Sequence, residues 1–184
     1  MNEKSVYKLG ASDGLWIGLA MSVCVFCMIF SVKIPFLSLV SLALIIATPY
    51  LAWRFLRKRW IDGEVPPTFS AVWLHGICIF LFGALIMAFT MYVSLRHLSP
   101  GWIENQLLTA AERLAMEPAT AHHAKTIHAI IQQGQLPSPI DTSISMIWLV
   151  AFTGSVWSMI FSFILTRTGR FKALRSQNTN TETF

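Results

Sequence analysis

Four long apolar stretches without any Asp, Glu, Lys or Arg constrain this 184-residue chain more than any other feature. They cover residues 14–30, 36–53, 69–95 and 143–165. A bilayer core about 30 Å thick needs about 20 apolar helical residues to cross it, and each stretch is near that length. Amphipathic helices of soluble proteins carry charged residues on one face, which these stretches do not. The pattern predicts an all-α protein, an integral membrane four-helix bundle.

The positions of the basic residues predict the orientation of the chain. Most of the 14 Lys and Arg residues flank the same ends of the predicted spans. They form clusters after the second and fourth spans: Arg54, Arg57, Lys58, Arg59, Arg167, Arg170, Lys172 and Arg175. Because cytoplasmic loops carry an excess of Lys and Arg, both termini are expected in the cytoplasm. The net charge of +5 then indicates contact with anionic headgroups at the membrane surface and not with nucleic acid.

A single membrane domain is predicted over residues 1–175, followed by a disordered cytoplasmic tail at 176–184. No small-x-small cleavage site follows the first apolar stretch, so the first span is expected to stay as an uncleaved anchor. Asp13 is expected at the mouth of that span, because a carboxylate favours a helix N-terminus.

The loop at residues 96–142 is the only sizeable connection, and the topology places it outside the cytoplasm. Ser99 followed by Pro100 predicts the N-cap and first position of a short helix. Pro118 predicts the start of a second helix, and Gly134 predicts its end. The loop is therefore expected to contain two short amphipathic helices, which lie on the membrane surface or cap the bundle.

Small residues recur at helical spacing in the first and fourth spans. Such stripes let helix backbones approach closely, and packing of this kind holds helices together in lipid. The expected helix-packing residues are Gly14, Gly18, Ser22, Ala151, Gly154, Ser155, Ser158 and Ser162. The spacing leaves open whether these stripes pack within one chain or between chains.

Cys24, Cys27, Cys78 and His75 are residues of metal-binding or redox type inside the predicted spans. All four are expected at roughly similar depth, because the first and third spans both start from the cytoplasm. Cysteine also packs as a small apolar residue in buried helices, and this interpretation is favoured. No metal ligand is assigned.

Titratable residues in the loop form no pattern that indicates catalysis. The carboxylates Glu104, Glu112, Glu117 and Asp141 are not tied by spacing to a nucleophile. The histidines His97, His122, His123 and His128 lack a clean i, i+4 pair. Both groups are interpreted as solvated helix residues. Within the spans, only His75 is an ionisable residue well inside an apolar stretch, whereas ion-coupled transporters usually carry such groups.

Several short strings give the chain a family resemblance, and they are Gly14-Leu15-Trp16-Ile17-Gly18, Glu64-Val65-Pro66-Pro67-Thr68-Phe69, Ser99-Pro100-Gly101-Trp102 and Thr166-Arg167-Thr168-Gly169-Arg170-Phe171. In these the chain resembles the small four-span inner-membrane proteins of Bacteroidota that are grouped as a domain of unknown function. The resemblance covers nearly everything from the first span to the basic end. It implies a bacterial inner-membrane location and no established activity, so no catalytic residue follows from it.

These observations predict an integral membrane protein that acts by helix association, as a homo-oligomer or an accessory subunit. Its expected partners are the lipid bilayer and a second membrane protein or copy of itself. No catalytic residue and no cofactor is assigned. Two alternatives stay open. A small transporter or channel-like protein would need a polar stripe converging at mid-membrane, and a membrane enzyme with an extracytoplasmic site would need carboxylates or histidines converging in a pocket.

Overall fold

The computed structural model describes residues 3–61, 68–117 and 120–181, and every regular element in those ranges is helical. A π-helical turn at Ser94–Leu98 continues the third helix. The α-helices are α1 Glu3–Phe30, α2 Phe36–Trp60, α3 Phe69–Val93, α4 Trp102–Ala115, α5 Ala121–Gln132 and α6 Pro139–Thr181. Four of them, α1, α2, α3 with its π-helical turn, and α6, are long and apolar enough to cross a membrane. The predicted all-α class, with two short helices between the third and fourth spans, is confirmed.

Helices α1, α2 and α6 extend beyond the charge-free stretches that predicted them. Because α1 begins at Glu3, Asp13 lies inside the helix, and the prediction that it stands at a helix N-terminus is wrong. Helix α2 continues past the second apolar stretch and includes Lys58 and Trp60. Helix α6 continues to Thr181, past the predicted start of a disordered tail at Ser176, and residues 182–184 lie outside the described ranges. Polar residues continue a helix readily when no proline interrupts it, so apolarity alone underestimates helix length.

The start of α4 differs from the prediction by two residues. Gly101, and not Ser99, is the N-cap, and it has a φ of 88°. This left-handed conformation suits glycine, which has no Cβ to clash with the backbone. The chain reaches it through the π-helical turn, in which the Ser99 amide donates to the Ser94 carbonyl 3.0 Å away. The turn redirects the chain from the end of α3 into α4.

Helix α5 ends as the sequence predicts. Gly134 follows it with a φ of 67°, and the amide of Gln135 donates to the Ile130 carbonyl at 3.1 Å. This pairing across the last turn is a Schellman motif. The predicted start of this helix at Pro118 lies outside the described residues, and α5 itself begins at Ala121.

Helix α3 is the central helix of the bundle. Helix α1 packs parallel to it, since Ser22 of α1 bonds Thr90 while Gly10 meets Cys78. Helix α6 packs antiparallel to it on another side, and α2 packs mainly on α1. Near the basic ends the four long helices share one buried cluster: Ile17, Ala52, Leu56, Trp60, Val72, Ile79, Phe80, Phe161 and Leu165.

Near the opposite ends a second cluster takes its buried members from α1, α3 and the π-helical turn, and Met146 and Val150 of α6 pack onto it together with Trp102 and Ile103 at the start of α4. Its buried members are Val25, Ile29, Met87, Met91 and Leu95. No residue of α2 belongs to this cluster. The two ends of the bundle therefore differ in packing, and each end contains its own candidate site.

Candidate functional site

A partly buried ion pair joins α1 and α2 near the basic ends of the helices. The Arg59 guanidinium donates two hydrogen bonds to the Asp13 carboxylate, from Nε to Oδ2 at 2.5 Å and from Nη2 to Oδ1 at 2.6 Å. The Asp13 side chain is 3% exposed, whereas that of Arg59 is 35% exposed. A fork-on-fork pair of this kind fixes geometry as well as neutralising charge. The Asp13 carboxylate can stay buried because the Arg59 side chain reaches it from the end of α2.

His75 of α3 lies next to this ion pair and connects it with Trp60 in one polar network. The Trp60 indole Nε1 donates to His75 Nδ1 at 3.0 Å, so Nδ1 is the unprotonated nitrogen of the ring. The ring hydrogen is then on Nε2, which lies 3.3 Å from Asp13 Oδ2. This approach is close but lacks the alignment of a hydrogen bond.

The arrangement ties α1, α2 and α3 together and suits a structural clamp. Removing one member would leave a buried polar group without its partner, which is strongly unfavourable. Sequence reasoning missed the Asp13–Arg59 pair and the role of Trp60, because residues 46 apart along the chain carry no spacing signal. The one available signal was a carboxylate next to an apolar stretch with arginines at the neighbouring helix end.

A groove of about 460 Å³ lies beside this network, between the basic ends of α1 and α2. Its walls combine cationic, aromatic and aliphatic side chains: Leu9, Ser12, Asp13, Trp16, Phe55, Lys58, Arg59 and Trp60. Trp16 is 63% exposed there. Of the predicted membrane-surface basic residues, Arg54, Arg57 and Lys58 are exposed, and Arg59 is the one that pairs with Asp13.

The basic residues of α6 lie at the same end of the bundle. Arg167 stacks over the Phe163 ring, 4.7 Å from its centroid. Arg170, Lys172 and Arg175 belong to the same helix, and their side chains lie outside the described part of the structure.

An apolar crevice of about 460 Å³ lies between α2 and α6 in the other half of the bundle. Five methionines line it, namely Met21, Met28, Met87, Met91 and Met146. Ile45 and Leu149 also line it and are 54% and 55% exposed, so the crevice opens at the surface of the bundle. Helices α2 and α6 meet instead towards the basic ends, where the rings of Trp53 and Phe161 are 5.4 Å apart.

The small-residue stripes face α3. A Cβ added at Gly14 would lie 2.9 Å from the Ile79 carbonyl oxygen, and one at Gly18 would lie 3.1 Å from that of Gly83. Ser22 exchanges a 2.9 Å hydrogen bond with Thr90.

On α6, Gly154 lies against the Phe80 ring and Ser158 lies against Gly76. Ser158 and Ser162 are fully buried and donate to the carbonyls one turn earlier. Ala151 and Ser155 are half-buried beside this contact. The structure therefore uses Gly14, Gly18, Ser22, Gly154, Ser158 and Ser162 in contacts within one chain.

The cysteines do not share one depth, so that expectation is wrong. Cys78 and His75 lie against Gly10 of α1, fourteen residues before Cys24. At about 1.5 Å per helical residue this separates them from Cys24 by about 20 Å. Cys24 Sγ instead donates to the Ser41 carbonyl at 3.5 Å. Among the described residues, no three His, Cys, Asp or Glu side chains lie close enough to hold a metal ion.

The carboxylates of the loop also stay apart. Glu104 lines a pocket of about 350 Å³ with Arg96 and Trp102, while Glu112 and Glu117 are exposed on α4 and in the turn after it. Asp141 accepts from the Ser138 hydroxyl at 2.5 Å and caps the start of α6.

Three of the four loop histidines lie on α5, whereas His97 lies in the π-helical turn that follows α3. His122 and His123 meet edge to face, with ring centroids 5.9 Å apart, and His128 is exposed. Neither the carboxylates nor these histidines converge in one pocket within the described part of the loop.

These observations define a multi-pass, all-α integral membrane protein with a polar clamp at one end of its bundle and an apolar crevice towards the other. Residues 12–167 match the family described as a protein of unknown function, DUF4199, and the chain belongs to that family. No curated protein and no solved structure matches the chain.

Proposed function

We propose that this membrane protein works by association within the bilayer and not by catalysis, and that it receives the acyl chain of a membrane lipid. The observation that carries the proposal is the crevice between α2 and α6, which four helices line but none fills. In a bilayer, such a space is open to the hydrocarbon chains around it.

The size of the crevice favours a slender occupant over a helix. Its volume of about 460 Å³ is in the range of small-ligand pockets, about 300–1,000 Å³. An α-helix is about 10 Å wide and rises about 5.4 Å per turn, so the same volume holds about one helical turn. A flexible acyl chain can fill the space lengthwise, and methionine side chains adapt to such irregular apolar contacts.

The walls of the crevice favour access from the side. Trp102 and Ile103 of α4 pack on the cluster that contains Met87 and Met91, two of the residues that line the crevice. Phe80 closes it towards the basic ends, where the main buried cluster begins. An occupant would therefore enter between α2 and α6 from the bilayer.

The proposed association within the bilayer could also involve a second copy of the chain or a partner membrane protein. The stripes of small residues are occupied by α3, so such a contact would use the outer faces of α2 and α6. The exposed side chains on these faces include Leu42, Ile46, Trp148 and Phe152. Transport or channel activity has less support, because the crevice lining is largely apolar and aromatic, with polar side-chain groups at Cys24, Thr48, Thr153 and Trp157.

Photocrosslinking tests the acyl-chain proposal. The full-length protein is reconstituted in phosphatidylcholine vesicles that contain phosphatidylcholine with a diazirine on one acyl chain. We expect adducts on Met87, which is 7% exposed and faces the crevice. We also expect them on the lipid-facing Phe89, which is 70% exposed. Adducts on Phe89 without adducts on Met87 would contradict the proposal.

A matched pair of variants on α6 sharpens this test. Thr153→Phe places a ring in the crevice and should remove the adducts on Met87, whereas Val156→Phe on the outer face should leave them. The mass of the protein in mild detergent gives a second readout. A dimer or a stoichiometric partner protein, together with no adducts on Met87, would favour helix association over lipid binding.

We also propose a bacterial inner-membrane location with both termini in the cytoplasm, supported by the basic clusters at one end of the bundle. In intact cells, an impermeant thiol reagent should modify a cysteine placed at Gln133 and spare one placed at Gly63. The variants for this test carry no native cysteine. The reverse labelling pattern would overturn the orientation.

A further inference from the structure

The groove between the basic ends of α1 and α2 carries an excess of positive charge. The Asp13 carboxylate lies in its wall but is buried and is neutralised by Nε and Nη2 of Arg59. Arg59 Nη1 donates to no acceptor among the described residues, and the Lys58 ammonium likewise has no carboxylate partner there. Among the described residues, the groove therefore offers one cation without a carboxylate partner and one free guanidinium N–H group to an occupant.

The other walls of the groove are apolar and aromatic. Leu9, Trp16 and Phe55 line it, and the indole of Trp16 is largely exposed. Tryptophan and basic side chains together are typical of the level at which lipid headgroups meet hydrocarbon. A small soluble anion would use the cations but would leave these apolar walls without a partner.

We propose that this groove binds one anionic phospholipid, with its phosphodiester between Lys58 and Arg59 and its first acyl carbons against Trp16 and Phe55. The complementary charge favours an anionic headgroup, and the apolar walls favour a lipid over free phosphate. Arg59 takes part in both contacts, because its Nε and Nη2 hold Asp13 while Nη1 stays available. The bound lipid therefore lies directly on the clamp that joins the helices. This site is separate from the crevice between α2 and α6 and does not depend on it.

Native mass spectrometry of the full-length protein tests the proposal. The protein in mild detergent is titrated with phosphatidylglycerol and, separately, with phosphatidylcholine of the same acyl chains. We expect the first phosphatidylglycerol to bind more tightly than those that follow and more tightly than phosphatidylcholine. Lys58→Gln should weaken this first binding about fivefold, the effect of one basic residue close to an anionic lipid.

The matched control is Arg57→Gln, which removes a neighbouring exposed charge that does not line the groove. It should leave the first binding event unchanged. Neither variant disturbs a described ion pair, so both should keep the thermal stability of the parent. Soluble glycerol phosphate in excess should fail to displace the lipid.

Three results would overturn the proposal. Equal affinity for the two lipids would exclude a headgroup site. Equal weakening by Lys58→Gln and Arg57→Gln would mean a diffuse surface attraction. Displacement by glycerol phosphate would show that the site recognises a free anion. None of these outcomes bears on the crosslinking of phosphatidylcholine at Met87, so the two lipid proposals can fail separately.

Discussion

The helices of this bundle are held together by different contacts in its two halves. Towards the basic ends all four long helices meet in one buried cluster, and a polar clamp of Asp13, Arg59, His75 and Trp60 joins three of them. Towards the opposite ends α2 leaves the cluster, and methionines line the space between it and α6. The half at the basic ends therefore fixes the arrangement of the four helices, while the other half contains an open crevice.

In the half near the basic ends, the clamp residues both hold the helices together and fix how the helices are arranged. A buried ion pair is expensive to desolvate, but once formed it accepts few other arrangements. The second half relies on flexible apolar contacts, which tolerate change and adapt to different partners. Substitutions in the two halves should therefore differ in effect, and four predictions measure that difference.

The largest effect is expected at the clamp. Asp13→Ala leaves Arg59 and His75 without their anionic partner and should lower the free energy of unfolding by about 3 kcal/mol. The lower end of the usual range applies because Arg59 is 35% exposed and can reach water. Thermal unfolding in detergent measures the change. Glu112→Ala, at an exposed carboxylate, is the control and should have little effect. Equal stability of the two variants would mean that the clamp contributes nothing.

A pair of truncations compares the two halves directly. Leu56 is fully buried in the shared cluster, so Leu56→Ala opens a cavity and should destabilise by about 2–3 kcal/mol. Met28 already borders the crevice, so Met28→Ala enlarges an existing space and should cost less than about 1 kcal/mol. Unfolding of both variants under one set of conditions gives the difference. A larger loss at Met28 would mean that the crevice is closed and packed.

Close contact between α3 and α6 predicts an overpacking effect. A Cβ at Gly154 would already lie 2.3 Å from the Phe80 ring, so Gly154→Leu must displace that ring or the helix. We expect a loss of about 2 kcal/mol, within the usual range for overpacked cores. Phe152→Leu on the exposed face of α6 is the control. If both variants unfold at the parental temperature, α6 does not pack against α3 in detergent.

The fourth prediction concerns the cysteines, where a small effect is expected. The triple variant Cys24→Ala, Cys27→Ala, Cys78→Ala should lose less than about 1.5 kcal/mol, because each change removes one small apolar atom. The variant should express and keep the oligomeric mass of the parent. Elemental analysis of the purified protein tests the opposing interpretation, in which the cysteines bind a metal. Stoichiometric zinc or iron in the parent, lost in the triple variant, would assign chemistry to these residues.

Much of the membrane architecture could be predicted from local sequence. A charge-free apolar segment of about 20 residues is best accommodated as a helix that crosses a bilayer. The four spans and the all-α class therefore followed from composition alone. The two loop helices followed from amphipathic spacing and the glycine at Gly134, although Gly101 replaced Ser99 as the cap of the first. Glycine and serine at intervals of four also indicated which helix faces can approach another backbone.

Only the tertiary structure decided which groups meet. The sequence placed Asp13 at a helix end and ended the second apolar stretch at Trp53, but α1 and α2 continue past those points and bring Asp13 and Trp60 to His75. Cys78 and Cys24 looked equivalent in depth, yet the register of α1 on α3 sets them far apart. Register and rotation depend on contacts between residues distant along the chain. The sequence by itself determined that helices cross a membrane, whereas the clamp, the groove and the crevice depend on how those helices pack.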